Sequence, residues 1–352
     1  MNANPTIHDV AARAGVSIST VSRALRGSGY VNADKREQVL RAATELGYVP
    51  HASAQLLRTQ RSGVIGVVVG DLGNPHTVTL ANSIQKYVRD RGYTVLFTSV
   101  SDGDESVEEQ ALQAMLRQRP DGLIVATLQT RISDRLLQQA CGTGLPAILI
   151  GRSLPEAGID AITSNYQRGS QTLTDYLLEL GHRRIAFIGA DMSEAEHVGR
   201  LRGYLASLKR ARIKLRPAWV IGDDNPARPY YPTSLTGYRA AKRLLQQPSR
   251  PTAIMARNDV TAIGVLQAVK EAGLSVPDDI SVTGFDNIPL AGFIAPALTT
   301  MSQPTEKEGE LAAEFLLRRL EHPDEAIAPR SIVLECDLII RASTAPPANA
   351  QT

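Results

Sequence analysis

The stretch TIHDVAARAGVSISTVSRALR, from Thr6 to Arg26, predicts two short helices joined by a tight turn. Thr6 and Ser17 each precede a run of helical apolar periodicity, where a hydroxyl can accept a backbone N–H and begin a helix. Gly15 lies between the two runs and permits the turn. The spacing of Ala11, Gly15 and Val21 is that of a helix-turn-helix, in which small and aliphatic residues let two helices pack closely.

The second of these helices has a polar outer face that suits a DNA groove. Its outward positions are Ile18, Ser19, Ser22, Arg23 and Arg26. A third helix is predicted between a cap at Asn32 and a stop at Gly47, which completes a minimal core. The inner face of this third helix is predicted to contain Val39, Leu40, Ala43 and Leu46.

Positive charge is concentrated in the same segment. Residues 1–61 contain eight basic and four acidic residues, a net charge of +4, whereas the rest of the chain has a net charge of −2. A basic segment with a helix-turn-helix pattern indicates nucleic-acid binding. The alternative interpretation is a charged, solvated helical cap with no DNA partner.

Several motifs together resemble the LacI/GalR (lactose-repressor) family of bacterial transcription regulators. The head TIHDVAARAGVSISTVSRAL is followed by ELGYVPHASAQLLR and then, in family order, by GHRRIAFIG, ARNDVTAIG, VPDDISVTGFDN, LTTMSQP and LIIRAST. The resemblance therefore extends over nearly the whole chain.

Length and patterning agree with the domains that this family has. A chain of 352 residues with 43% hydrophobic residues is too long for one ordinary core. After residue 63, β-branched runs alternate with amphipathic helices, which predicts doubly wound parallel sheets. We expect an all-α helix-turn-helix head and an α/β core with two doubly wound lobes. The resemblance implies that the core is of the periplasmic-binding-protein type, in which the chain crosses between the lobes three times, and we place these crossings near Ser164, Ala295 and Pro323. The expected ranges are 1–49 for the head, 50–62 for a hinge helix, 63–163 with 295–322 for the first lobe, 164–294 with 323–344 for the second lobe, and 345–352 for a disordered tail.

The resemblance also assigns DNA-contacting residues. Ile18, Ser19 and Arg23 occupy the positions from which this family reaches base edges, and an arginine can make a bidentate contact to guanine. Thr20, Ser22 and Arg26 are expected to contact phosphate. In the family the hinge helix pushes a leucine into the minor groove, and the matching residue is Leu57; its alternative role is packing against the next domain. Family members bind operator DNA as homodimers, so we expect a homodimer here.

Effector contacts are expected in the cleft between the lobes. Arg200, Asn258 and Asp286 match the family positions that hold effector oxygens, and their donors and acceptors can bracket the vicinal hydroxyls of a sugar. We expect the neighbouring Asp259 to cap the helix that follows it, as a structural residue.

Three further candidate effector residues are linked to departures from the family pattern. His76 replaces an aromatic residue after Asn-Pro and is expected to hydrogen-bond to the effector. Asn165 remains where the family has an Asp-Asn pair, and Ser164 replaces the aspartate. Tyr231, beside Tyr230, is a candidate replacement for the lost aromatic surface; the alternative is an exposed, proline-braced loop.

Other function classes lack their motifs. The chain has no Gly-x-Ser-x-Gly elbow, no Cys-His signature, no clustered metal ligands and no phosphate-binding glycine loop, so we predict no catalytic residue, no metal and no cofactor. We also find no signal peptide and no membrane-spanning run, and we expect a cytoplasmic protein. A ligand-responsive repressor of a carbohydrate operon is therefore the preferred interpretation. A sensor of purines or sugar phosphates, and an enzyme on the same scaffold, are the alternatives.

Overall fold

The structure is a computed structural model that describes residues 5–26, 30–48, 61–100, 105–126, 131–154, 157–189, 199–222, 233–325 and 327–348. Leu57, Tyr231 and most of the expected hinge helix lie outside the described residues, as does the side chain of Arg26. The contacts within the chain group it into two compact units, Met1–Ser62 and Gly63–Thr352. None of the described helices is both long enough and apolar enough to span a membrane.

The head contains the predicted helix-turn-helix followed by a third helix. Its helices are α1 (Ile7–Ala14), α2 (Ile18–Arg26) and α3 (Ala33–Leu46). Thr6 and Asp9 form a reciprocal capping box at the start of α1, and Gly15 ends this helix with a φ of 62°. Ser17 Oγ accepts the Thr20 N–H at 3.2 Å and thereby caps α2. The caps predicted for α1 and α2 are confirmed.

The inner face of α3 differs from the prediction by one residue. Val39 and Ala42 are buried, together with Ala43, whereas Leu40 is 47% exposed. The spacing of Val39, Ala42, Ala43 and Leu46 follows the 3.6-residue period, and Leu40 lies about 100° around the helix from Val39. The assignment of Leu40 to the inner face was therefore wrong.

The second unit alternates strands and helices throughout its length. Its strands are β1 (Val64–Val69), β2 (Thr94–Ser99), β3 (Gly122–Ala126), β4 (Ala147–Ile150), β5 (Asp160–Ser164), β6 (Ile185–Ile188), β7 (Val220–Ile221), β8 (Ala253–Ala256), β9 (Ser281–Thr283), β10 (Thr300–Ser302), β11 (Ser331–Leu334) and β12 (Asp337–Ile339). Its α-helices are α4 (Pro75–Arg89), α5 (Glu105–Arg117), α6 (Arg131–Gly142), α7 (Tyr166–Glu179), α8 (Gly199–Arg210), α9 (Ser234–Leu245), α10 (Asp259–Glu271) and α11 (Thr305–Glu321).

The first lobe is built on a six-stranded parallel sheet with the order β11-β5-β4-β3-β1-β2. Residues of α4 and α11 pack on one face of this sheet, and residues of α5 and α6 pack on the other. The second lobe has a four-stranded parallel sheet with the order β7-β6-β8-β9. It is covered by α9 and α10 on one face and by α7 and α8 on the other. Both lobes are doubly wound, which confirms the predicted fold class.

Two of the three predicted crossings between the lobes are misplaced. The strand β10, expected in the first lobe, pairs with β12 and is preceded by a bridge from Thr299 to Thr283 of the second lobe. The strand β11, expected in the second lobe, pairs with β5 in the first-lobe sheet. The chain therefore crosses after Ser302 and after Leu334, not near Ala295 and Pro323. Both strands are only three or four residues long, and such a length does not specify a pairing partner locally.

Ala345, the first residue of the expected disordered tail, is hydrogen-bonded to the second lobe. The Ala345 N–H donates to Ser281 Oγ, and its carbonyl accepts a hydrogen bond from the Ser281 hydroxyl. Nε2 of His182 lies 2.9 Å from the same carbonyl. Ala345 is thus part of the second-lobe fold, and its assignment to a disordered tail was wrong.

Candidate functional site

The exposed face of α2 brings the predicted base-reading residues together. Ile18, Ser19 and Arg23 are exposed, and Ser22 is partly exposed on the same helix. Arg23 Nε donates to the Ser19 carbonyl at 3.3 Å, so the guanidinium lies along this face. Ile18 is an exposed aliphatic side chain beside it. The geometry agrees with the predicted assignment, and the DNA contacts themselves stay a prediction.

In the second unit, a buried carboxylate is placed at the carboxyl edge of the second-lobe sheet. Asp286 follows β9 and has a φ of 119°, a conformation that a non-glycine residue adopts only when its surroundings enforce it. Its Oδ1 accepts a hydrogen bond from Gln303 Nε2 at 2.5 Å and lies 3.5 Å from Arg200 Nη2. The strained backbone and these two donors fix the direction of the carboxylate.

Arg200 is held between two aromatic rings. It is the second residue of α8, and its Cζ lies 4.5 Å from the ring centre of Tyr166 and 4.3 Å from that of Phe285. The close approach of α8 to α7 requires Gly203, since a Cβ there would lie 2.3 Å from the Gln167 carbonyl oxygen. Glycine at this position therefore allows the helix that carries Arg200 to pack closely on α7.

A cavity of about 510 Å³ opens beside this cluster. It is bounded by α4 of the first lobe, by the loop after β9 and by the segment that crosses after Ser302. The residues that line it are His76, Thr79, Asp286, Asn287, Ile288, Pro289, Ser302, Gln303, Pro304, Thr305, Glu306, Lys307 and Glu310. His76 Nδ1 lies 3.0 Å from Thr305 Oγ1, so the histidine is already hydrogen-bonded within the wall.

The predicted effector residues are only partly assembled here. His76 and Asp286 line the cavity, and Arg200 contacts Asp286 from behind it. Asn258 is buried and caps α10 through the Thr261 N–H at 2.9 Å. Asn165 caps α7 and donates to Glu335 at 3.0 Å, at a crossing between the lobes. For Asn258 and Asn165 the structure therefore provides a structural role, and effector contact stays a prediction.

Three residues of this region were not predicted. Gln303 orients Asp286, and Tyr166 packs on Arg200. Glu308, on α11, is buried and accepts a 2.7 Å hydrogen bond from Ser164 Oγ at the end of β5. The carboxylate lost from position 164 is thus supplied from a residue 144 positions later. Only the SQP triplet after a strand could have indicated Gln303 from the sequence.

Asp259 was expected to cap α10, but Asn258 is the capping residue and Asp259 is the first helical residue. The Asp259 carboxylate accepts the Ile288 N–H at 2.8 Å and the Thr300 hydroxyl at 2.5 Å. Burial, with Asp286 nearby, raises the pKa of Asp259 to about 8 from 3.8. Burial thus favours the protonated form of this side chain in the folded protein, and the two hydrogen bonds that it accepts oppose this effect.

This shift predicts a specific dependence of stability on pH. Because the pKa of Asp259 is raised on folding, its contribution to the free energy of unfolding is full below pH 3.8 and is lost as the pH rises towards about 8. We expect Asp259→Asn, which keeps one acceptor and one donor, to make the free energy of unfolding less dependent on pH between these values. Urea unfolding at a series of pH values measures this effect. The matched control is Asp278→Asn at an exposed acid, and an equal slope for Asp259→Asn and the original protein would contradict the assignment.

Two family descriptions match the chain. "Bacterial regulatory proteins, lacI family" matches residues 6–51, and "Periplasmic binding protein-like domain" matches residues 174–344. The ribose operon repressor of Haemophilus influenzae is 32% identical over 338 residues, which cover 96% of this chain and 98% of that protein. A repressor named PurR from the same species is 32% identical over 340 residues, which cover 96% of this chain and 98% of that protein.

Solved structures of transcription regulators also match most of the chain. The Lac repressor dimer bound to operator and an anti-inducer is 28% identical, with 97% of this chain and 100% of that chain covered and a TM-score of 0.81. A LacI family regulator from Enterococcus faecium with bound ribose is 29% identical, with 80% and 99% covered and a TM-score of 0.68. Given the helix-turn-helix head, the two-lobed core and these near full-length matches, the chain belongs to the lacI family of bacterial regulatory proteins and is a transcription regulator, not an enzyme.

Proposed function

We propose that this regulator binds operator DNA in the cytoplasm as a homodimer, represses a carbohydrate-utilisation operon, and changes its operator affinity when a sugar-like molecule binds in the cavity between its lobes. The face of α2 would read the operator, and Arg200, Asp286 and His76 would contact the effector. The observation that carries the effector proposal is the Arg200, Asp286 and Gln303 cluster beside the cavity.

The cluster offers both kinds of hydrogen-bonding group to hydroxyls. Arg200 Nε and Gln303 Oε1 are buried and have no hydrogen-bond partner among the described residues. A buried donor and a buried acceptor without partners are costly, by about 1–3 kcal/mol each, unless a ligand or a solvent molecule completes them. A hydroxyl both donates and accepts, so it can satisfy either group.

The charge of the cavity favours a neutral ligand over a phosphorylated one. Its lining contains the carboxylates of Asp286, Glu306 and Glu310 and the ammonium group of Lys307. Arg200, which pairs with Asp286, adds a second cation, so three carboxylates face two cations. A phosphate dianion would be repelled by this balance. Among the described lining residues no phenyl, phenol or indole ring is present to stack on a purine. The ribose-bound Enterococcus regulator and the ribose operon repressor support a sugar.

The test is operator binding by the full-length protein at one fixed salt concentration, with and without a panel of sugars, sugar acids, sugar phosphates and purines. DNA upstream of neighbouring genes is the source of candidate sites, and fixed salt is essential because phosphate contacts make DNA affinity strongly salt-dependent. Loss of a tight site with one neutral sugar supports the proposal. Response only to a purine or a phosphate overturns the sugar assignment, and absence of any specific site overturns operator binding.

The proposed homodimer accounts for an exposed aromatic side chain. Phe293 is 86% exposed, and Leu290 is exposed in the adjacent 3-10 turn. We expect Phe293→Asp to weaken dimerisation by at least about tenfold, that is by about 1.4 kcal/mol, because a carboxylate placed in the interface loses its hydration. Sedimentation velocity over a dilution series measures this effect. Leu215→Asp, at another exposed apolar side chain, is the control, and an unchanged dimer in Phe293→Asp would contradict the placement of the interface.

A further inference from the structure

The second lobe carries a group of exposed cations at the edge of its sheet opposite the cavity. Arg183 and Arg184 directly precede β6, Lys209 lies in the last turn of α8, and the loop towards β7 contributes three more. We define the basic surface by its exposed members Arg183, Arg184, Lys209, Arg212, Lys214 and Arg216. None of these residues belongs to the head or to the effector cavity.

Most cations of the basic surface form no ion pair with a described residue. Residues 209–216 contain five basic and no acidic residues, although the chain beyond residue 61 has a net charge of −2. Arg210, within this segment, pairs with Asp175. Arg184, Lys209, Arg212 and Lys214 have no carboxylate partner among the described residues. The surface therefore presents a concentrated positive field that is available to an external anion.

Part of the surface surrounds a shallow cavity of about 520 Å³. Arg183, Arg184, Lys214 and Arg216 line it, and Arg216 is fixed by a 2.8 Å hydrogen bond to Ser249 Oγ. The large apolar residues beneath are already covered; Trp219, for example, is 5% exposed, and Leu215 at 36% is the most exposed of the described large hydrophobic side chains there. Protein partners usually require apolar or aromatic anchors at the centre of an interface, and this surface offers few.

We propose that the basic surface binds the phosphate backbone of a second DNA segment, independently of sequence, while α2 occupies an operator. Cations distributed over two loops and a helix end match an extended polyanion better than a single small anion. Neutralisation of phosphates by Lys and Arg releases counterions, and this supplies affinity without base contacts. This second contact goes beyond the proposed function and allows one protein to bridge two duplexes.

The experiment uses the full-length protein in a bridging assay. Protein is loaded on an immobilised operator duplex, unbound protein is washed away, and capture of a second, unrelated duplex is measured from about 50 to 200 mM salt, the range over which phosphate contacts weaken strongly. The test variant is Arg184→Gln, Lys209→Gln, Arg212→Gln and Lys214→Gln together. The control variant is Arg117→Gln, Arg119→Gln, Arg135→Gln and Arg318→Gln, four exposed arginines of the first lobe whose loss changes the net charge equally.

The original protein and the control variant are expected to capture the second duplex, and the test variant to capture at least about tenfold less. Each lost phosphate contact lowers the slope of log affinity against log salt by about 0.9, so four contacts lower it by up to about 3.6. Equal capture by the test variant, or no capture by operator-bound original protein, overturns the proposal. Capture of polyglutamate without capture of DNA would also overturn it and indicate an acidic protein partner. Failure to load on the operator contradicts the proposed function instead, so the two failures are distinguishable.

Discussion

Replacement of Arg200 by alanine is expected to abolish the effect of the sugar on operator binding while leaving operator binding without the sugar intact. The guanidinium provides a planar set of donors beside Asp286, and its Nε has no partner among the described residues. Hydrogen bonds from a charged group contribute about 1.5–3 kcal/mol each, so loss of two weakens effector binding by about a hundredfold or more.

Effector titration by calorimetry and operator binding by fluorescence anisotropy measure the two halves of this prediction. Arg202→Ala is the matched control, since Arg202 lies on the same helix and is exposed. Arg200→Lys keeps the charge but loses the planar fork, and we expect weak residual effector binding. An unchanged effector response in Arg200→Ala would remove this residue from the site, and loss of operator binding would indicate a role in folding.

A single methyl group at Gly264 is expected to destabilise the second lobe by about 3 kcal/mol, the upper end of the range for overpacking. The helices α9 and α10 meet backbone to backbone, and a Cβ at Gly264 would lie 1.8 Å from the Ser234 carbonyl oxygen. A Cβ at Gly237, on the facing helix, would lie 2.2 Å from the Thr261 carbonyl oxygen. Backbone atoms cannot rotate away as a flexible side chain can, so Gly264→Ala must separate the helices.

A natural tryptophan provides a fluorescence probe for the unfolding of the second lobe. Trp219 is the only tryptophan, and it is buried in the same apolar cluster as residues of α9 and α10. Urea unfolding followed by tryptophan fluorescence therefore reports on this lobe. Gly142→Ala is the control, because a Cβ there meets nothing within 4 Å and alanine favours a helix. An unchanged free energy of unfolding in Gly264→Ala would contradict the close approach of α9 and α10.

The sequence was sufficient to predict an element wherever the residues that determine it, such as a helix cap or a β-branched run, lie within that element. Thr6 and Gly15 begin and end α1 as predicted, and the β-branched runs form the parallel strands. The prediction failed where a strand pairs with a segment that is distant in the sequence. The short strands β10 and β11 have no local feature that assigns them to a lobe, because pairing depends on the crossings themselves.

In the candidate site, too, the residues within motifs were predicted and the residues brought in from distant segments were not. Arg200 and Asp286 were predicted from motifs, and they contact each other. Gln303 and Glu308 were not predicted, since only the crossing after Ser302 brings them to Asp286 and Ser164. The confusion of Asp259 with Asn258 is a one-residue error at a helix start, where sequence patterns are least exact.

Gln303 lies in the segment that joins the two lobes and also orients the carboxylate of Asp286. A ligand that contacts Gln303 and Asp286 therefore contacts a segment that connects the two lobes directly. Since linkage is reciprocal, operator DNA must change the affinity for the effector by the same factor by which the effector changes the affinity for DNA. With the proposed sugar effector, the sugar concentration that half-saturates the protein would consequently differ between a cell with many operator copies and a cell with few.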